Sequence, residues 1–282
     1  MSTRKLQQVI DAQPTSDGAG VKLRRSIGSL PGLRLDPFLM LDEFSSDSAD
    51  DYIAGFPSHP HRGFETVTYM LDGRMRHEDH MGNRGDLGPG DVQWMSAARG
   101  IIHSEMPQQS EGRMRGFQLW INLPAREKMK PASYRDIAAA QIPVVSLQGG
   151  GRVKLIAGSV ALDGVETAGA IAGVSTEPVY LDVELPANAV FTQALPAAHN
   201  AFVYAYEGSL RIDDREVPRH AAGVLSAGDH FEAQAGPEGA RFILLAGKPL
   251  REPVVQYGPF VMNTREEIEQ ALDDYRRGRL AA

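Results

Sequence analysis

Short apolar segments recur along most of the chain. Between about residue 20 and residue 250 they are separated by Gly, Pro, Asp and Asn, with clear examples at 67–71, 117–123, 179–185 and 242–245. This spacing is typical of antiparallel β sandwiches and barrels, in which short strands alternate with tight turns. The pattern predicts an all-β protein over this range.

Helical periodicity is evident only near the C-terminus. Ile268, Leu272 and Tyr275 share one face of a helix that Asn263 or Thr264 could cap. Acidic residues precede this stretch, and basic residues followed by a glycine end it, which complements the helix dipole; they are Glu266, Glu267, Arg276, Arg277 and Gly278. We therefore predict a short α-helix within residues 263–282.

A weak internal repeat suggests two copies of one β unit. The pattern Tyr-x-x-acid-Gly occurs at 69–73 and 204–208, and each copy is followed by a turn ending in Gly-Asp, at 89–91 and 227–229. Three alanines at 138–140 and Pro143 interrupt the strand rhythm between the copies. The predicted domains are residues 1–133 and 147–262, joined by a linker at 134–146 and followed by the helix.

Composition narrows the possible partners and ligands. Hydrophobic residues form 42% and charged residues 23% of the 282 residues, a globular balance. The net charge of −7 supplies no positive field for nucleic acid. We find neither a signal-like leader nor a membrane-length apolar segment, so a cytoplasmic protein is expected. Because the chain has no cysteine, nitrogen and oxygen atoms must hold any metal.

Two closely spaced pairs of residues could form a metal site. His59 and His61 stand two residues apart, as do His103 and Glu105, so each pair faces one side of a strand. The four side chains converge if the two strands oppose each other. Glu65 is an alternative carboxylate, either as a ligand or beside the metal as a base, and spacing alone does not rank it against Glu105.

Several first-row metals would accept such donors, namely Fe, Mn, Co, Ni, Cu and Zn. Iron held by nitrogen and oxygen with open positions is the arrangement of non-haem oxygenases. The competing interpretation is that the histidines are surface or core residues, which we assign to His77, His80, His220 and His230. An apolar substrate pocket could be lined by Trp94, Met95, Phe117 and Trp120, although aromatic residues in strands commonly form plain core.

Four segments make the chain resemble the pirin family of the cupin superfamily. They read DPFLMLDEF at 36–44, FPSHPHRGFETVTYMLDG at 56–73, PGDVQWMSAARGIIHSEMP at 89–107 and GPFVMNTREEIEQALDDYRRG at 258–278. The resemblance implies two tandem cupin domains, which are jelly-roll-like β-barrels or sandwiches, with one metal in the N-terminal domain. It also implies that the positions of His59, His61, His103 and Glu105 bind Fe(II), with Glu65 as a neighbour.

The repeat allows a comparison of the two predicted domains. An alignment without gaps places Ala194, Pro196, Arg241 and Ile243 at the four ligand positions in the second copy. The C-terminal domain is therefore predicted to be metal-free, with a structural or partner-binding role.

Three functions agree with these observations. The first is a quercetin 2,3-dioxygenase-type reaction, in which a carboxylate takes the enol proton of a flavonol that then reacts with dioxygen. This activity is implied by the resemblance to pirins. The second, also implied by it, is an iron-loaded, redox-responsive regulator that binds a transcription or metabolic protein. The third is another cupin oxygenase or isomerase acting on an enolic substrate.

Overall fold

Strands form most of the chain, as the apolar rhythm predicts. A computed structural model describes residues 2–29, 34–162 and 165–281. Strand makes up 56% of the structure and helix 8%, so the all-β prediction is confirmed. The first strands are β1 (Leu6–Asp11), β2 (Gln13–Asp17), β3 (Val21–Arg25), β4 (Phe38–Ser46), β5 (Phe56–His61), β6 (Phe64–Asp72), β7 (Met75–Asp79), β8 (Arg84–Leu87), β9 (Val92–Ser96), β10 (Ile101–Pro107), β11 (Met114–Asn122) and β12 (Ser133–Ile137).

The remaining strands are β13 (Val144–Ser146), β14 (Arg152–Ala157), β15 (Ser159–Leu162), β16 (Val165–Ala168), β17 (Val179–Leu185), β18 (Val190–Ala194), β19 (Asn200–Ile212), β20 (Arg215–Val217), β21 (Ala221–Leu225), β22 (His230–Gly247), β23 (Val255–Tyr257) and β24 (Phe260–Met262). Helix α1 spans Arg265–Arg276, and single 3₁₀ turns occur at Ala49–Asp51, Ala125–Glu127 and Ala139–Gln141. No helix in the described parts of the chain is long and apolar enough to span a membrane.

The chain forms two compact units that are not continuous in sequence. The N-terminal unit contains Pro14–Gly28, Phe38–Ala139 and Leu250–Ala282, and the C-terminal unit contains Met1–Gln13, Ser29–Pro37 and Ala140–Pro249. Strand β1 pairs with β21 in the C-terminal unit, whereas β23, β24 and α1 belong to the N-terminal unit. The predicted domain boundaries at 133 and 147 do not place the two terminal segments in these units. Pairing between strands far apart in the sequence decides that placement.

The segment predicted as a linker is largely ordered into strands. Strand β12 pairs with β9 in the N-terminal unit, and β13 pairs with β14 in the C-terminal unit. Only residues 138–143 lie between these two strands. The alanines and Pro143 thus mark a short connection, and the expected linker at 134–146 is too long.

Two antiparallel sheets build most of the N-terminal unit. One has the strand order β12-β9-β6-β11-β4-β3-β2, and the other has the order β5-β10-β7-β8. One hydrophobic cluster draws residues from both sheets, including Phe44 and Met70 from the first and Met75 and Leu87 from the second. The edge position of β5 suits its sequence, because a strand containing two prolines lacks N–H donors for a second neighbour.

The C-terminal segment is fastened to the N-terminal unit by buried polar contacts. Thr264 caps α1 and forms a capping box with Glu267, so the helix begins at Arg265 and Asn263 is not the cap. The buried guanidinium of Arg62 donates to Asp274 on α1 at 2.8 Å and to the carbonyl of Leu280 at 3.2 Å. These bonds anchor the helix directly beside the strand that ends at His61.

The C-terminal unit repeats the strand plan of the N-terminal unit. Its main sheet has the order β1-β21-β19-β22-β17-β14-β13, with β18 also paired to β22. Its four central strands correspond in order to central strands of the N-terminal unit: β21 to β9, β19 to β6, β22 to β11 and β17 to β4. The first part of β22 pairs with β18 as β10 pairs with β5.

This correspondence corrects the alignment of the two copies. The Gly-Asp turn at 228–229 follows β21, whereas the turn at 90–91 precedes β9, which matches β21. Arg241 lies in the part of β22 that pairs with β17 and matches β11, so it does not occupy a ligand position. The buried positions of the strands that match β5 and β10 are instead Phe191, Gln193, Phe231, Ala233 and Ala235. That the C-terminal unit is metal-free stays a prediction.

Candidate metal centre

Three histidines meet where β5 and β10 pair. His103 lies directly opposite His59, and Ile101 lies opposite His61, in an antiparallel register. One ring nitrogen from each of the three histidines lies within 4.8 Å of the other two. His61 and His103 are buried, while His59 is half-buried, so solvent reaches the triad from the His59 side.

Each imidazole of the triad has a ring nitrogen available as a ligand. Nδ1 of His59 is 2.8 Å from the carbonyl of Pro57, to which it can donate, and this leaves Nε2 free. Both ring nitrogens of His61 and Nε2 of His103 are buried without a hydrogen-bond partner in the protein. Burial, aided by neighbouring imidazoles, lowers the pKa of His61 and of His103 well below the ordinary value. Neutral, unpartnered imidazoles are the donors that a first-row metal ion requires.

Glu105 lies two residues beyond His103 on the same buried face of β10. Its carboxylate is not one of the three converging ligand groups. Oε1 is 2.8 Å from the hydroxyl of Thr68, and Oε2 accepts from the amide of Gln118 at 3.2 Å. The Thr68 hydroxyl is also 2.7 Å from Oε1 of Gln118, so its one proton can serve only one of these acceptors. The seven-stranded sheet thus positions the carboxylate of Glu105.

Glu65 lies on the other face of that sheet, so its predicted position beside Glu105 is wrong. It pairs with Ile121 and Ser96, whereas the adjacent Thr66 pairs with Trp120 and Met95. Since side chains alternate along a strand, Glu65 points away from the face that carries Trp120. The expectation that Glu65 lies at or beside the metal fails because β5 ends at His61 and Glu65 belongs to a separate strand, β6.

The four residues of the predicted apolar pocket also divide between the two faces. Trp120 is half-buried, its ring centroid is 5.3 Å from that of His61, and it packs at 4.4 Å against Phe64. Met95 lies on the same face of the sheet. Phe117 pairs with Tyr69, and Trp94 pairs with Val67, so both point away from the triad. Phe64 was not predicted and takes their place beside His61.

His77 is the residue that sequence reasoning missed. It is fully buried, and its Nδ1 lies 3.1 Å from Nδ1 of His103, so of the two alternatives, surface or core, it is a core residue, and it contacts the triad. The useful signal was the spacing of His77 and Asp79, which stand two residues apart on β7 and share a face. His80, three residues beyond His77, is exposed.

Comparisons with known proteins agree with this architecture. A family model described as Pirin matches residues 20–121, and one described as Pirin C-terminal cupin domain matches residues 180–281. A pirin-like protein of Caulobacter vibrioides is 50% identical over 279 residues, covering 99% of this chain and all of the relative. Pirin of Homo sapiens is 42% identical over 284 residues, covering 99% of this chain and 94% of the relative.

A solved structure extends the likeness to the whole fold. The crystal structure of a quercetin 2,3-dioxygenase from Acinetobacter baumannii superposes with a TM-score of 0.89 at 32% identity, covering 100% of this chain and 99% of that one. The predicted pair of cupin domains is confirmed, with open sheets in place of closed barrels. Two family models and full-length relatives agree, and the chain belongs to the pirin family.

Proposed function

We propose that His59, His61, His103 and Glu105 hold one divalent metal ion, Fe(II), and that the site catalyses oxygenation of a flavonol such as quercetin. The observation that carries this proposal is the convergence of three imidazoles, two of which, those of His61 and His103, have buried ring nitrogens without a hydrogen-bond partner in the protein. Leaving such polar atoms unsatisfied is costly unless a ligand completes them. The donor set suits a first-row metal, and the likeness to a quercetin 2,3-dioxygenase supports the substrate class.

The surrounding side chains suit a flat, aromatic, enolic substrate. Trp120 and Phe64 form an apolar wall against His61, over which a planar ring system could pack. The half-buried His59 marks the side from which the substrate enters. An apolar wall next to a few fixed polar groups is typical of sites that bind small molecules.

Glu105 is the proposed base. Gln118 donates to Oε2, and the Thr68 hydroxyl lies 2.8 Å from Oε1, so the carboxylate is already oriented when the substrate arrives. In the proposed reaction Glu105 takes the enol proton of the flavonol. A bound metal ion would supply Lewis acidity toward the resulting oxyanion. Reaction of the flavonolate with dioxygen then cleaves the heterocycle and releases carbon monoxide.

The central experiment separates binding from turnover. The protein is purified with its native metal, the metal content is measured, quercetin is added without oxygen, and oxygen is then admitted. We expect one metal per chain, a spectral change of the flavonol before oxygen, and carbon monoxide after it. A spectral change without carbon monoxide would favour a sensing or regulatory role, and no response to quercetin would refute this substrate.

The base assignment predicts a specific variant effect. Glu105→Gln is expected to retain metal and to lower turnover by about 10²–10⁴-fold, because the amide cannot accept the enol proton. Glu65→Gln is the matched control, since Glu65 lies on the opposite face of the sheet, and it should keep full turnover. Undiminished turnover by Glu105→Gln would sink the assignment.

A further inference from the structure

A chain of buried polar side chains leads from the triad into the four-stranded sheet. Nδ1 of His103 is 3.1 Å from Nδ1 of His77, and Nε2 of His77 is 3.4 Å from Oδ2 of Asp79. The side chains of His77 and Asp79 are completely buried. Paired strands fix both residues, because Asp79 lies opposite His103 and His77 lies opposite Glu105 in the β7–β10 register.

Asp79 is held as an acceptor. Its Oδ1 accepts from the backbone N–H of Met81 at 2.9 Å and of Asn83 at 3.0 Å, and its Oδ2 accepts from the side-chain amide of Asn83 at 2.8 Å. Burial alone would raise the pKa of Asp79, but the hydrogen bonds from Asn83, His77 and Met81 hold it below the ordinary value. An ionised carboxylate has no proton to donate, so the hydrogen between Asp79 and His77 must come from Nε2 of His77.

The position of the proton on His77 in turn determines the position of the proton on His103. An imidazole that carries its one ring proton on Nε2 has its lone pair on Nδ1, so in this arrangement His77 accepts at Nδ1. The proton in the contact between the two rings must then belong to Nδ1 of His103. This leaves the lone pair of His103 on Nε2, the buried nitrogen that has no partner in the protein.

We propose that His77 and Asp79 are positioning residues that hold His103 in the tautomer with Nε2 free for metal. Carboxylate and imidazole partners commonly orient metal-binding histidines in this way and strengthen them as ligands. Tyr134 supports the arrangement, because its ring stacks on His77 with centroids 4.6 Å apart and an interplanar angle of 26°. The inference rests on the proposed metal site, but the tautomer can be tested without metal.

The direct test is nuclear magnetic resonance of the metal-free full chain labelled with ¹⁵N-histidine. Long-range ¹H–¹⁵N spectra distinguish protonated from unprotonated ring nitrogens, and the spectrum of His103→Gln assigns the signals of His103. We expect His103 protonated at Nδ1 and His77 protonated at Nε2. A proton on Nε2 of His103 would overturn the proposal, whatever the metal affinity.

Metal binding supplies an independent readout, with Co(II) as the probe. In Asp79→Asn the new amide group can donate to His77, which reverses both tautomers and puts a proton on Nε2 of His103. We expect Co(II) to bind 10–100-fold more weakly, with an altered d–d spectrum. Asp86→Asn removes the same charge from the adjacent strand, where Asp86 binds Arg76 in solvent, and should bind Co(II) normally.

Two changes at His77 separate orientation from charge and from misfolding. His77→Phe should weaken Co(II) binding, and His77→Gln should restore part of it, because the glutamine carbonyl can accept from Nδ1 of His103. If Asp79 acts through His77, Asp79→Asn has no further effect in the His77→Phe background. An equal loss in both backgrounds would show a long-range charge effect and refute the relay. Failure of the wild-type chain to bind Co(II) would refute the metal site, while the spectra of the metal-free protein still decide the tautomer.

Discussion

Two carboxylates that residue spacing alone does not rank differ sharply at the scale of single residues. Both oxygens of Glu105 face hydrogen-bond donors on the seven-stranded sheet. Glu65 is buried on the other face, and its Oε2 has no partner in the protein. Burial raises the pKa of Glu65 to about 7, with nearby Glu127 adding to the rise and Trp94 and Ser96 opposing it. We therefore expect Glu65 to affect the stability of the folded protein and not the reaction at the triad.

Glu65 predicts a pH dependence of stability. Its folded-state pKa exceeds the ordinary 4.5, so between pH 4.5 and about 7 the folded protein binds more protons than the unfolded chain. The contribution of Glu65 to the free energy of unfolding therefore falls as pH rises through that window. The difference between the two pKa values corresponds to about 3 kcal/mol.

Urea unfolding of metal-free wild type and Glu65→Gln across pH 4 to pH 8 measures this contribution, because groups common to both proteins cancel in the difference. We expect Glu65→Gln to gain stability over the wild type as pH rises. A constant difference between the two proteins over the whole range would contradict the assignment.

At the scale of elements, one buried lysine ties three parts of the N-terminal unit together. Nζ of Lys128 donates to the carbonyl of Gly63 and to Oδ1 of Asn122, both at 2.6 Å, and to the carbonyl of Val261 at 2.9 Å. These acceptors come from the turn before β6, the end of β11 and strand β24. Gly63 has φ +92°, and a Cβ there would lie 1.9 Å from the carbonyl oxygen of Val261. The turn after His61 therefore requires glycine, because the backbone of β24 lies directly against it.

Replacement of Lys128 should destabilise the contact between these three parts of the N-terminal unit. Lys128→Met leaves three buried acceptors without donors, so we expect the free energy of unfolding to fall by about 3 kcal/mol or more. Lys130→Met is the matched control, because the side chain of Lys130 is 60% exposed, and its stability should stay within about 0.5 kcal/mol of wild type. Equal urea midpoints for the two variants would contradict this role of Lys128.

At the scale of the whole molecule, the two units share a strand plan but differ in the residues they enclose. Strands β5 and β10 bring three imidazoles and a carboxylate to one face, whereas Phe191, Phe231 and Phe242 pack together in the C-terminal unit, with ring centroids 6.1–6.5 Å apart. These phenyl rings have no lone pairs to offer a metal, and the side-chain amide of Gln193, the polar residue among the matching buried positions, donates to the carbonyls of Ser159 and Ala194. The expected stoichiometry is therefore one metal per chain.

Metal removal and replacement test this expectation. His61→Ala should abolish stoichiometric metal binding, whereas His230→Ala, in the C-terminal unit, should leave it intact. For the wild type, free metal at 100 times its dissociation constant should raise the free energy of unfolding by about 2.7 kcal/mol over the metal-free form. Metal analysis and thermal unfolding measure both quantities. Two metal ions per wild-type chain would contradict the prediction for the C-terminal unit.

The sequence by itself determined the local features of this protein. Strand rhythm, the capped helix and the paired spacings of His59 with His61 and His103 with Glu105 are readable because side-chain periodicity is a short-range property. The family resemblance identified the two cupin domains. Each of these inferences involves residues within one strand, one turn or one motif.

Only the tertiary structure decided which faces meet. Glu65 lies away from the triad because Gly63 turns the chain between two sheets, and His77 joins the triad because β7 pairs with β10. The N-terminal segment belongs to the C-terminal unit through pairings between residues more than 200 positions apart, such as Leu6 with Leu225. Such contacts depend on strand register and sheet order, which alternation within a single strand does not encode.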